Sequence, residues 1–324
     1  MGIPNYFFKL GGSFSPPAAE DCTCIILSPY SGSAAITLTL TDTAADTLVN
    51  WGDGTTEAGA ASMTHTYTDI GTSAADYSKQ YKLKIYGSHT KVGLGNSSLV
   101  YGFERLYSGL TSCDSMFKSC PRLKNVGSVI IPNGCTNIQQ MFADCVNMER
   151  LTGPVVIPNT VTDATRFIKG CGRLVMEDVE LAMSTAVVRS DYLFANNYQM
   201  KSLRNFTLAN YTIAFHIFDG CRSLVSLPEG FKICSANAEN IQDNFSGCTA
   251  LQADITNIWP SSFTQSKINI GNCFLNCGNI TGTAPAELLW NNPNVTWTAT
   301  GCFSGCTKLT NYNEIPSSWG GGGA

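Results

Sequence analysis

Met116-Phe117-Lys118-Ser119-Cys120-Pro121-Arg122-Leu123 sets a cadence that the chain repeats to its C-terminus. Taking the aromatic or aliphatic anchor as position zero, a cysteine follows three residues on and an aliphatic residue three beyond that. The copies are Phe117/Cys120/Leu123, Phe142/Cys145/Met148, Ile168/Cys171/Leu174, Phe194/Asn197/Met200, Phe218/Cys221/Leu224, Phe245/Cys248/Leu251, Phe274/Cys277/Ile280 and Phe303/Cys306/Leu309. Successive anchors stand 25, 26, 26, 24, 27, 29 and 29 residues apart. A coil of that length cannot bury its own apolar face, so the copies must stack and share one core.

The period falls in the leucine-rich-repeat window and well short of two-helix repeats. Each copy also carries a mostly apolar residue four before the anchor and another just before it, as in Cys113/Met116, Ile138/Met141 and Ala214/Ile217. Positions three and four apart are neighbours on a helix, so the spacing predicts a short helical turn ending at the anchor. Leu123–Val126, Leu224–Leu227 and Leu309–Tyr312 read as short strands, with Pro132, Pro158, Pro228, Pro260, Pro285 and Pro316 stopping six of the copies. The expected fold class is mixed: a β-sandwich, then a leucine-rich-repeat solenoid of about eight short helix/strand coils. Stacked at strand spacing, eight coils make a ridge about 38 Å long, an extended surface and not a pocket.

Seven of the 14 cysteines fill one column of the repeat, and Asn197 is its eighth member. That substitution points to a structural Cys/Asn ladder of Cys120, Cys145, Cys171, Asn197, Cys221, Cys248, Cys277 and Cys306, whose small polar side chains satisfy backbone groups left over by the bend. Cys273-x3-Cys277 and Cys302-x3-Cys306 could be written as a four-thiolate zinc site. Cys273 and Cys302, however, occupy the column before the anchor, where other copies carry Met, Leu or Ile. No metal and no cofactor is expected, and buried thiols of this kind fix no redox compartment.

Ahead of the repeats, Ile36–Leu40 and Tyr81–Tyr86 alternate like strands, and Leu48-Val49-Asn50-Trp51-Gly52-Asp53-Gly54-Thr55 enters an Asp-Gly turn, followed by His65-Thr66-Tyr67. This phrase resembles the PKD-type immunoglobulin-like sandwich over roughly sixty residues. The Ala-rich Glu57–Ser62 stretch and the long Gly71–Gln80 loop depart from that family's pattern. The expected organisation is an extended arm at 1–24, a sandwich at 25–87, a solenoid cap at 88–112, the solenoid at 113–319 and a Gly-rich tail at 320–324. The repeats, with Met116-Phe117-Lys118-Ser119-Cys120 and Cys302-Phe303-Ser304-Gly305-Cys306-Thr307-Lys308-Leu309 as clear copies, resemble BspA-type leucine-rich repeats of bacterial surfaces and phage fibre-like proteins. That resemblance implies attachment to a host or partner surface and no catalysis.

Charged residues make up 14% of the chain and the net charge is −4, so no basic footprint for nucleic acid exists. No apolar run is long enough to insert in a membrane. The opening Met1–Leu10 lacks the features of a secretory signal. The three histidines, His65, His89 and His216, are far apart, and no nucleophile, base and orienting carboxylate can be placed together from their spacing. His65 is expected to brace a turn with Asp53. Asp163, Asp178, Asp191 and Asp243 fall at different repeat offsets and form no row suited to glycoside cleavage. Six Asn-x-Ser/Thr sequons, at Asn96, Asn205, Asn210, Asn244, Asn279 and Asn294, are what an Asn- and Thr-rich chain produces by chance.

Trp259, Trp290, Trp297, Tyr312 and Trp319 cluster in the last three coils and are candidate ligand-binding aromatics, suited to sugar stacking or to anchoring a protein interface. The alternative is that they seal the end of the core, since terminal repeats are atypical. The expected function is a non-enzymatic extracellular attachment protein, a phage virion fibre or receptor-binding component located on the virion or cell surface. Alternatives are a bacterial cell-surface adhesin, a virion head or tail decoration protein, and a polysaccharide-degrading enzyme. Expected partners are a host cell-surface glycan or protein, or other virion subunits, with any homo-oligomer assembling through the N-terminal region.

Overall fold

The computed structural model describes residues 21–94, 97–176, 181–183, 186–187, 189–204, 206–208 and 211–323. The expected arm, through residue 20, lies outside them, as do Asp178 and the sequon residues Asn96, Asn205 and Asn210. Among the described residues the regular structure is β-strand, with two single-turn 3-10 helices near the C-terminus. No helix there is long and apolar enough to cross a membrane.

Eight strands build a two-sheet sandwich: β1 (Thr23–Leu27), β2 (Ala35–Thr41), β3 (Leu48–Asn50), β4 (Thr56–Ala58), β5 (Ser62–Thr66), β6 (Tyr81–Tyr86), β7 (Lys91–Gly93) and β8 (Val100–Arg105). One sheet runs β4-β3-β6-β1-β8 and the other β5-β2-β7, all antiparallel. The period of two does its usual work: β2 buries Ile36, Leu38 and Leu40 and turns Thr37 and Thr39 outward. Trp51 is fully buried, its indole N–H donates to Glu57 Oε1 at 2.6 Å, and the Tyr67 hydroxyl donates to the Trp51 carbonyl at 2.9 Å. His65 stacks on Trp51 at 4.7 Å and places Nε2 2.7 Å from Asp53 Oδ2, while Thr55 bonds the other carboxylate oxygen. The sandwich therefore extends past residue 87 to Arg105, and the segment expected as a cap contributes β7 and β8 to its sheets.

The repeats coil as a stack, but the expected helical turn is corrected. Residues −4 to +3 of each copy form two successive turns, closed in the first copy by Met116 N–H to Cys113 O and Cys120 N–H to Phe117 O. The third residue of each turn has positive φ: Ser115 (57°) and Ser119 (53°), Gln140 (56°) and Asp144 (60°), and so on to Gly301 (68°) and Gly305 (85°). A left-handed residue at the third position marks a type II turn and cannot continue a right-handed helix of L-residues. The alternate N–H groups leave the coil altogether. Cys113, Ser115, Phe117 and Ser119 donate to the carbonyls of Asn137, Gln139, Met141 and Ala143 in the next coil, at 2.8–2.9 Å. The same four-bond ladder joins later coils, as in Ala214, His216, Phe218 and Gly220 to Asn240, Gln242, Asn244 and Ser246. The apolar −4, −1 and 0 positions thus share a face because tandem turns bring them together.

Strand content beyond the turns is sparse. β9 (Asn125–Val126) pairs in parallel with β11 (Arg150–Leu151), β10 (Val129–Ile130) with β12 (Val155–Val156), β12 with β13 (Leu181–Ala182), and β14 (Lys267–Asn269) with β15 (Thr296–Thr298). Leu224–Leu227, expected as a strand, forms none, and Leu309–Tyr312 runs into the 3-10 turn Tyr312–Glu314. The anchors stack along the axis: Phe117 on Phe142 at 5.5 Å, Phe218 on Phe245 at 5.2 Å, Phe245 on Phe274 at 5.4 Å and Phe274 on Phe303 at 5.8 Å. All are buried, each worth about 2–3 kcal/mol relative to exposure.

Sandwich and solenoid share one β-ribbon. Residue five before each anchor bridges to its counterpart in the next coil, from Lys91 of β7 through Ser112, Asn137, Asp163, Arg189, Ile213 and Asn240 to Asn269. Phe103 of β8 lies on Phe117 at 4.9 Å and so closes the first end of the core. At the other end the 3-10 turn Ser317–Trp319 replaces a ninth coil, with Ser318 and Trp319 carbonyls accepting the N–H groups of Gly301 and Phe303.

Candidate binding surface

Because equivalent residues of successive coils are one ladder step apart, side chains in a column stack. At −2, Tyr192 lies on His216 with ring centroids 4.5 Å apart and planes 6° from parallel. Arg166, one coil earlier in the same column, sits over Tyr192 at 5.2 Å, and Lys169 approaches that ring at 5.4 Å. On the far side, His216 Nδ1 is 3.0 Å from Asp219 and Nε2 is 3.5 Å from Asp243. The stripe therefore grades from cations through a phenol and an imidazole to carboxylates within four coils. The left-handed turn residues point these side chains outward while the anchors hold the turns from within.

Phe215, adjacent in the ribbon, meets both Tyr192 and His216 edge-on at 5.7 Å. It also forms one wall of a groove of about 620 Å³, lined by Ile213, Phe215, Glu239, Asn240, Gln265, Ser266, Lys267 and Asn269. Asn240 Oδ1 accepts the Gln242 N–H, and Asn269 is tied to Gln242 and Gly271. The side chains of Glu239, Gln265, Ser266 and Lys267 make no hydrogen bond or ion pair among the described residues. The groove thus combines one aromatic wall with uncommitted donors and acceptors of both charges. Nearby Asp191 is buried, which raises its carboxyl above the ordinary range against the pull of Arg189 at 3.6 Å.

The aromatics singled out from the sequence lie elsewhere, packed at the C-terminal end of the stack. Trp259 and Trp319 are buried; Trp259 packs on Phe274 and Phe303, and Trp319 receives Trp290 at 5.9 Å and Trp297 at 5.7 Å. Trp290, Trp297 and Tyr312 are half-buried against the core. These bulky side chains cover the apolar face of the eighth coil. Tyr192 and His216 share the −2 column and Phe215 stands at −3, so the three become neighbours only through the turns of successive coils.

The Cys/Asn column lies wholly inside. The thiols of Cys145, Cys171, Cys221, Cys248, Cys277 and Cys306 each donate to the anchor carbonyl of the preceding coil, at 2.9–3.2 Å. Asn197 donates to Ile168 O at 2.9 Å and accepts the Cys171 N–H at 2.8 Å. Burial pushes the Cys145 and Cys221 thiols up to about 12, so they stay protonated donors at neutral pH.

No family model matches the chain, and no curated protein matches it. Among solved structures, a leucine-rich cell surface protein of Faecalibacterium prausnitzii A2-165 is similar at 15% identity and a TM-score of 0.29, over 70% of this chain and 83% of that one.

Proposed function

We propose that the protein is a non-enzymatic extracellular binding or attachment protein whose solenoid presents the recognition surface and whose sandwich serves as spacer or docking unit. The observation that carries this reading is the Arg166–Tyr192–His216 stripe beside a groove in which Glu239, Gln265, Ser266 and Lys267 keep their polar side chains uncommitted. The resemblance of the repeats to BspA-type sequences, and of the Trp51–Tyr67 phrase to PKD-type modules, points the same way. Within that class, a phage fibre or receptor-binding component is the narrower reading, supported by a composition rich in Asn, Ser, Thr and Gly with few charges. Its partner is then a host cell-surface glycan or protein.

The test is retention of fluorescently labelled full-length protein on a panel of bacterial cells and on their purified surface polysaccharides. Phe215→Ala and Lys267→Glu, both on the groove, are expected to weaken retention at least tenfold while the circular dichroism spectrum is unchanged. Retention indifferent to both substitutions, or no retention on any cell, sinks the proposal. Release of reducing ends from the polysaccharides would move the protein to the enzyme alternative.

A further inference from the structure

Two cysteines outside the thiol ladder converge at the joint between the first and second coils. The Cys113 N–H donates to Asn137 O at 2.9 Å, and the Cys135 thiol reaches the same oxygen at 3.4 Å. Each of the two thiols feels the other's charge, and both side chains are fully buried. Each backbone is fixed from two sides. Cys113 O accepts the Met116 N–H, Cys135 N–H donates to Pro132 O, and Cys135 O accepts the Thr160 hydroxyl at 2.7 Å. The ladder and its neighbouring turns thus fix the backbone on which each of the two side chains sits.

The sulfurs are electronically distinct. The contact with Cys113 lowers the Cys135 thiol below its ordinary value, whereas its partner is raised by that same contact and by burial. The more readily ionised thiol of a pair is the attacking sulfur in exchange. The ladder thiols, by contrast, spend their proton on an anchor carbonyl and are raised by burial.

We infer that Cys113 and Cys135 are a disulfide-forming pair, a clasp that fastens the loop entering the second coil to the first. With a low-molecular-weight disulfide as oxidant, the Cys135 thiolate attacks one sulfur and expels a small thiolate. The Cys113 sulfur, losing its proton, then attacks the mixed disulfide at Cys135 and expels the second. Two protein thiols and one small disulfide become one protein disulfide and two small thiols. Asn133 and Gly134, just before Cys135, are exposed, so oxidant enters by local opening of that loop.

The experiment incubates the full-length protein with oxidised glutathione without denaturant, then alkylates in denaturant and maps peptides by mass. The expected result is a peptide pair joined through Cys113 and Cys135, lighter than the two free peptides by two hydrogens, lost on reduction, with the ladder cysteines alkylated. The wild-type thermal midpoint rises on oxidation, while Cys135→Ser and Cys113→Ser are indifferent to oxidant. Recovery of Cys113 and Cys135 both alkylated, glutathione retained on Cys135 without closure, or a pairing of either with another cysteine overturns the inference. The wild-type map decides the matter even if either variant fails to fold.

Discussion

The carbonyl oxygen of Phe117 accepts two hydrogen bonds, the N–H of Cys120 in its own coil at 3.2 Å and the thiol of Cys145 in the next at 3.0 Å. The same double acceptance recurs along the stack, so the cysteine column joins coils as well as filling space. Replacing Cys248 by Ala, which removes the donor to Phe218, is expected to cost about 1–3 kcal/mol in urea unfolding, and Ser in its place recovers part of that. Asn197→Cys is expected to cost less than Asn197→Leu, because Leu strands both Ile168 O and the Cys171 N–H. Equal midpoints for the paired variants would show that the column acts by volume alone.

The second left-handed column separates geometry from space. Gly247 (φ 72°) has no atom closer than 3.8 Å to an added Cβ, whereas at Gly220 (φ 73°) an added Cβ meets Asn196 Oδ1 at 2.7 Å. Gly247→Ala therefore pays only backbone strain, about 1–2 kcal/mol, and Gly247→Asn less. Gly220→Ala is expected to lower the thermal midpoint further than Gly247→Ala. The reverse order would refute the assignment of these turns.

His89 gives the sandwich a pH dependence of known sign. It is buried, with Nδ1 on Gly87 O at 3.0 Å, Nε2 on the Thr23 hydroxyl at 3.2 Å and its ring on Tyr107 at 4.6 Å. Burial lowers its pKa below the ordinary value, outweighing the Gly87 carbonyl and Asp21. The unfolded chain then takes up the proton more readily, so this contribution is present above the ordinary histidine range near pH 6.5 and is lost as pH falls through it. Denaturation midpoints at pH 7 and pH 5 should differ more for wild type than for His89→Gln, and parallel pH profiles would rule the assignment out.

Arg122 fastens the first coil to the sandwich. Its guanidinium donates to Ser28 O and to Asp76 O, the latter at 3.1 Å, and lies between the rings of Tyr30 at 4.6 Å and Tyr77 at 4.5 Å. Arg122→Ala is expected to cost about 2–4 kcal/mol and to split calorimetric unfolding into two transitions. A single unshifted transition would mean that the shared ribbon alone couples the two parts.

The stacked core was legible in the sequence because the anchor column is almost unbroken from Phe117 to Phe303 and has no other way to be buried. The Trp51–Tyr67 phrase likewise announced a sandwich, since its buried ring, turn and tyrosine are local. The helical turns were misread because positions −4, −1 and 0 coincide on a helix face and on a pair of tandem turns. What distinguishes them is the +2 column of Ser119, Asp144, Gly170, Asn196, Gly220, Gly247, Asn276 and Gly305, residue types that tolerate positive φ. The Tyr192–His216 stripe was hidden for the same reason, as its outward direction depends on those turns. The C-terminal tryptophans were visible, but sequence position alone could not tell a seal from a platform.

The backbone bonds between coils run along the stack, each coil gripping the next through its own short set. Tension applied at the two ends therefore passes through these sets in series, and the weakest yields while the others hold. Extended in an optical trap, the chain should lengthen in discrete packets of about 85–100 Å, the contour of one repeat, and not in a single rip. A protein built this way absorbs a jolt by giving up length.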